Sequence, residues 1–136
     1  MNPTKLFPLI ITEDLAATRA YYTDKAGFTV TMEQDQYLQV RYGSDEAGPE
    51  LAFWTRSDDN PMGCQHAFGG RGLVISIPTD NADEKFDALR KRGATTMSEP
   101  SDKPWGWRSF AATDPNGVIL DFFHVTAQSA VADATG

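Results

Sequence analysis

The chain has 136 residues, 40% of them hydrophobic and 11% aromatic, with 12 basic against 19 acidic side chains and a formal net charge of −7. That length holds one compact domain with a core, or two tightly fused half-domains, and the apolar content excludes a disordered polymer. The acidic balance argues against nucleic acid, whose phosphates demand a basic face; it permits a cationic ligand, although ordinary solubility is the better explanation.

No stretch approaches the roughly 20 apolar residues that cross a membrane. The start, MNPTKLFPLII, lacks the cleavage pattern of a secretory leader. Cys64 is alone, so it offers neither a disulfide nor a cysteine metal cluster and reads as a spectator thiol. These features predict a cytoplasmic protein that binds neither membrane nor nucleic acid.

In chain order, Lys5–Thr12 is an apolar and β-branched run that predicts a strand. Asp14 is a good N-cap, and Leu15, Tyr22 and Ala26 recur at helical spacing until Gly27 stops the helix. Phe28–Glu33, Tyr37–Tyr42 and Glu50–Thr55 read as three further strands, with turn chemistry over Gly43–Pro49. Arg56–Gly72 is polar and rich in glycine, the composition of a linker.

The pattern then returns. Leu73–Ile77 predicts a strand, and Asp80 or Asn81 caps a helix that ends at Gly93. Asp83 and Glu84 in its first turn and Arg90, Lys91 and Arg92 in its last complement the helix dipole, with Ala82, Phe86 and Leu89 as the buried stripe. Ala94–Met97 is a short strand and Ser98–Gly106 a polar loop. Trp107–Thr113 and Val118–His124 make a hairpin around Asp114-Pro115-Asn116-Gly117. Thr126–Gly136 reads as a frayed tail.

The expected fold is therefore α+β, with two tandem βαβββ modules at residues 1–57 and 72–125, a linker at 58–71 and a tail at 126–136. Each four-stranded sheet has one helix on its outer face, which leaves the inner face to line a cleft.

The residues that repeat also resemble a known family. Asp14-Leu15, Tyr21-Tyr22 and Ala26-Gly27-Phe28 form one block, and Asp80–Gly93 a second. The third is Pro104-Trp105-Gly106-Trp107-Arg108, then Phe110, Asp114-Pro115-Asn116-Gly117 and Leu120-Asp121-Phe122. In this order they resemble the vicinal oxygen chelate superfamily: glyoxalase I, extradiol dioxygenases and bleomycin-resistance proteins. The resemblance spans roughly residues 5–125. It implies curled sheets, a homodimer and, in the enzymes, a divalent metal on four side chains. One His or Gln stands early in each module and one Glu late.

Laid on that pattern, the early positions are Phe7 and Val74 (or Leu73), and the late ones are Glu50 and Asp121. Two hydrocarbons cannot donate a lone pair, and two carboxylates bind a transition metal weakly and without selectivity. His66 falls in the linker. His124 lies three residues beyond Asp121, so strand alternation turns it to the opposite face, and both histidines read as bystanders. No metal, cofactor or catalytic residue is expected.

Glu50 and Asp121 either meet Arg41, Arg108 or a hydroxyl, or line the cleft and hold a cationic or hydrogen-bond-donating ligand. Paired acid–base work ranks last, because no companion nucleophile accompanies them. Trp54 has the parity of Glu50 and Phe123 that of Asp121, while Trp105 and Trp107 flank Gly106. A tryptophan taken singly is core filling; several rings around a cleft make an apolar pocket for planar groups.

The sequence thus predicts a metal-free binding protein of the bleomycin-resistance type, holding a planar or cationic small molecule such as an antibiotic. Its ligand-binding residues are Phe7, Glu50, Trp54, Trp105, Trp107, Asp121 and Phe123. The alternative is a metal-dependent lyase, isomerase or dioxygenase with a displaced site. A third reading, an accessory subunit, has no motif to support it.

Overall fold

The computed structural model describes residues 5–55 and 67–126. Cys64, His66, most of the expected linker and nearly all of the expected tail lie outside those residues. The chain divides into two compact units, one of residues 1–71 with 115–117, the other of residues 72–114 with 118–136.

The first unit runs β1 (Leu9–Thr12), α1 (Leu15–Ala20), a π-helical turn (Tyr21–Lys25), β2 (Thr29–Gln34), β3 (Tyr37–Arg41) and β4 (Glu50–Thr55). Its sheet has the order β1-β4-β3-β2, with β1 parallel to β4 and the other pairs antiparallel. β1 starts at Leu9 rather than Lys5. Pro8 has no N–H for the ladder, although its carbonyl still accepts from Ala52 N at 3.0 Å.

Asp14 caps α1 as expected, accepting from Ala17 N at 2.9 Å. The helix does not continue as α to Gly27. Ala26 N reaches back five residues to the Tyr21 carbonyl at 2.9 Å, a π-type bond. The widened turn buries Tyr21 and Tyr22 together, and Tyr22 packs on Phe28 and Phe53 with ring centres 5.1 and 5.0 Å apart. Gly27 then reverses the chain at φ 81°. Leu38, Val40, Leu51 and Phe53 fill the α1 side of the sheet. In the same unit Asn116 donates to Thr18 Oγ1 at 3.1 Å and accepts from the Thr12 hydroxyl.

The second unit runs β5 (Val74–Pro78), α2 (Ala82–Lys91), β6 (Thr95–Thr96), β7 (Ser101–Asp102), β8 (Trp107–Thr113) and β9 (Ile119–Val125). Asn81, not Asp80, caps α2, accepting from Glu84 N at 3.1 Å. The sheet order is β5-β9-β8-β6, and β7 also pairs with β8. This makes five strands where the sequence predicts four, because Ser101 and Asp102 in the expected loop pair with Ser109 and Arg108. The α2 side is closed by Phe86, Phe110 and Phe122, with Phe110 and Phe122 stacked 5.4 Å apart. The first unit is an α+β module of the expected βαβββ pattern, the second is the same pattern with β7 added, and no helix among the described residues is long and apolar enough to cross a membrane.

Candidate functional site

In the first unit, strand alternation leaves Tyr37, Gln39, Glu50 and Trp54 on the face away from α1. They form one hydrogen-bonded and ring-packed group. Lys5 Nζ lies 2.6 Å from Glu50 Oε2, while Thr31 Oγ1 and Gln39 Nε2 donate to Glu50 Oε1 at 2.8 and 2.7 Å. Tyr37 Oη donates to Gln39 Oε1 at 2.7 Å, and its ring meets Trp54 edge-on at 6.5 Å.

The Glu50 side chain is only 11% exposed. Burial alone would raise its pKa, but the hydrogen bonds from Lys5, Thr31 and Gln39 and the Lys5 charge outweigh burial and hold it below the ordinary carboxylate value. Burial, then the Glu50 charge, pushes the Tyr37 phenol up.

Glu50 therefore meets a cation, but not one the sequence offers. Arg41 stands opposite Glu50 in the ladder, yet its Nε reaches the Gly43 carbonyl at 3.5 Å, while Lys5 arrives from before β1. Lys5 shares the odd parity of Phe7, the one local signal that could have revealed it. Phe7 itself is half-buried in the extended segment leading to β1.

Beside this group Met32, Gln34, Asp35, Gln36, Tyr37 and Trp54 line a concavity of about 780 Å³. The sequence identifies only Trp54 among them. The others belong to the polar β2–β3 hairpin, whose alternation is masked because β2 is exposed along most of its length.

In the second unit, Asp121 lies on the face away from α2. Its register partner on β5 is Ser76, whose hydroxyl is 3.0 Å from Asp121 Oδ2, while Val74 pairs with Ile119 and is 55% exposed. Counting back from the helix cap to Val74 thus misses the residue beside the carboxylate, since the parallel ladder sets that neighbour. Trp107 stacks on Phe123 with ring centres 3.7 Å apart and planes at 9°, and Trp105 meets Trp107 edge-on at 6.3 Å. Trp105 is 51% exposed. The structure brings together Trp105, Trp107 and Phe123 in this unit and Glu50 with the Tyr37–Trp54 group in the other.

His124 faces the α2 side, as alternation requires. Its Nδ1 accepts from Ala82 N at 2.8 Å, which caps α2 a second time. Arg108 holds Asp83 at 2.9 Å and Asp102 at 3.2 Å, so it serves that face and not Asp121.

These donors do not fit a divalent metal bound in the superfamily's way. Phe7 supplies hydrocarbon, the β5 residue beside Asp121 is Ser76, whose hydroxyl occupies the carboxylate, and Glu50 is occupied by an ammonium and two neutral donors. Among the described residues no group of three or more His, Cys, Asp or Glu converges.

Comparison with known proteins agrees with the fold. The family model of the Glyoxalase/Bleomycin resistance protein/Dioxygenase superfamily matches residues 6–122. A bleomycin resistance protein of Geobacillus stearothermophilus is 27% identical over 124 residues, 85% of this chain and 92% of its own. A glyoxalase/bleomycin resistance protein/dioxygenase from Nocardioides superposes with a TM-score of 0.71 at 25% identity, covering 92% of this chain and 85% of that one. A glyoxalase/bleomycin resistance protein from a Streptomyces species shares the fold at a TM-score of 0.62 and 24% identity, over 85% of this chain and 96% of that one. The chain belongs to the Glyoxalase/Bleomycin resistance protein/Dioxygenase superfamily.

Proposed function

We propose that this is a small-molecule-binding protein that works without a metal, sequestering a planar or cationic ligand of the antibiotic type in aromatic surroundings. One observation carries the reading. The carboxylates at both late chelate positions already have protein partners, Lys5, Thr31 and Gln39 at Glu50 and Ser76 at Asp121, whereas Trp54 and Tyr37 line an open concavity. An indole beside a concavity stacks flat rings, and an acidic chain favours a positive charge on them.

The curated relatives named bleomycin resistance proteins support a glycopeptide antibiotic as the first ligand to try. The ligand-binding residues in this reading are Phe7 and Trp54 in the first unit and Trp105, Trp107 and Phe123 in the second, with Glu50 and Asp121 contributing negative charge. In this reading the chain acts as a homodimer in the cytoplasm, without nucleic acid or membrane.

Calorimetry against bleomycin-type glycopeptides and a panel of flat aromatic natural products tests this, with micromolar binding of one class expected. Silence across the panel sinks the antibiotic reading. Elemental analysis of protein purified without chelator is the second arm: stoichiometric nickel, zinc, manganese or iron would favour a lyase, isomerase or dioxygenase instead.

A further inference from the structure

Lys5 does more than neutralise Glu50. Its ammonium carries three N–H groups and has three oxygen partners: the Glu46 carbonyl, the Gly48 carbonyl and Glu50 Oε2, each at 2.6 Å. A side chain so committed has nothing left to offer a ligand. What it does is keep Glu50 ionised in a largely buried setting.

That charge dictates the direction of every hydrogen bond that follows. An ionised carboxylate can only accept, so Gln39 must turn its amide nitrogen to Glu50 Oε1, at 2.7 Å. The Gln39 amide oxygen then faces Tyr37, and the phenol must donate to it, at 2.7 Å. With its one proton spent on Gln39, the Tyr37 oxygen can offer a ligand lone pairs alone. Tyr37 lines the concavity beside Trp54.

We infer that Lys5, acting through Glu50 and Gln39, sets the polarity of the Trp54 concavity, so that it selects a flat ring bearing an N–H or O–H donor over the same ring without one. The inference rests on the ligand-binding reading and names the ligand chemistry at that site. Lys5, Glu50 and Gln39 are positioning residues in it, and Tyr37 is the contact.

Two measurements test it separately. The first needs no ligand: the Tyr37 phenol is titrated by NMR with ¹³Cζ-labelled tyrosine. Wild-type Tyr37 titrates above ordinary tyrosine, Glu50→Gln and Gln39→Leu bring it down, Lys5→Met raises it further because the Glu50 charge loses its cation, and Lys5→Arg restores the wild-type titration. An identical titration in wild type, Glu50→Gln and Gln39→Leu overturns the inference and leaves the ligand-binding reading intact.

The second compares benzimidazole with 1-methylbenzimidazole by the shift of the Trp54 indole N–H resonance. Benzimidazole binds about tenfold more tightly, the worth of one well-made hydrogen bond, and the preference vanishes in Gln39→Leu, whose Tyr37 is free to donate. Equal affinities in wild type overturn donor selection alone. Failure of both probes to shift Trp54 counts against the concavity as a site, and so against this inference and that part of the proposed function together.

Discussion

Ser76 Oγ stands 3.0 Å from Asp121 Oδ2, and the two residues are register partners on the parallel strands β5 and β9. The carboxylate that ends the second module's pattern is therefore satisfied by its neighbour across the ladder. The site is partly open to water, so the bond competes with hydration. Ser76→Ala is expected to lower stability by no more than about 1 kcal/mol, read from urea unfolding. A loss several times larger would mean that Asp121 depends on Ser76 as a buried charge does.

The Lys5–Glu50 pair is more enclosed, with side chains 24% and 11% exposed. Lys5→Met leaves Glu50 without its cation and is expected to cost about 1–3 kcal/mol in urea unfolding at pH 7, the range for an orphaned acceptor in a charged hydrogen bond. Lys5→Arg should retain most of it.

The same pair gives a pH dependence whose sign is fixed. Glu50 has a lower pKa folded than its ordinary value of 4.5. Its contribution is therefore fully present above about pH 5 and is lost as pH falls through the folded value. The urea midpoint of the wild type should drop as the solution is acidified below pH 4.5. Glu50→Gln should show a shallower drop over that window, and parallel acid profiles would contradict the assignment.

His124 supplies a cap rather than a ligand. Ala82 is fully buried and its N–H has the imidazole Nδ1 as acceptor at 2.8 Å. His124→Phe keeps a ring of similar size on β9 but orphans that N–H, and is expected to cost about 1–3 kcal/mol. Faster amide exchange in the first turn of α2 would locate the loss. An unchanged exchange rate at Ala82 would show that the imidazole bond contributes nothing.

Local chemistry explains what was legible beforehand. Asp14 with Gly27 and a capping residue with Gly93 bracket the helices, because N-caps and left-handed glycines act within a turn of where they sit. The alternation of Tyr37–Arg41 and Glu50–Thr55, and the Asp114–Gly117 turn, likewise declare themselves. Glu50, Trp54, Trp107 and Phe123 fall on the faces away from their units' helices because parity in a strand is a local property.

Long-range choices were hidden. Nothing near Glu50 in sequence says that its partner is Lys5, 45 positions away. The Ser76–Asp121 register depends on how two parallel strands slide, and β7 exists only because β8 offers Ser101 and Asp102 a partner. The concavity beside Trp54 is walled by Met32 and the polar Gln34, Asp35 and Gln36 of β2 and its turn, whose exposed pattern resembles any solvated hairpin. The π-type turn at Tyr21 arises from burying two adjacent tyrosines, which no single-residue preference encodes.

Gly48 joins the loop to the site, and its replacement is the sharpest local test. A Cβ at this position would lie 2.6 Å from the Tyr42 carbonyl oxygen and 2.9 Å from that of Asp45, both backbone atoms that cannot swing aside. Gly48 N also donates to the Asp45 carbonyl at 2.8 Å, and the Gly48 carbonyl is one of the three oxygens around Lys5 Nζ. Gly48→Ala must therefore open the loop from Tyr42 to Pro49 and pull one oxygen off the ammonium. The expected cost is about 1–3 kcal/mol, the usual range for overpacking a tight site. Its signature differs from that of a remote destabilising change: the Tyr37 phenol titration should shift in the same sense as in Lys5→Met, because both disturb Glu50. A Gly48→Ala protein that loses stability while Tyr37 titrates as in wild type would show that the loop supports the fold without holding Lys5 in place.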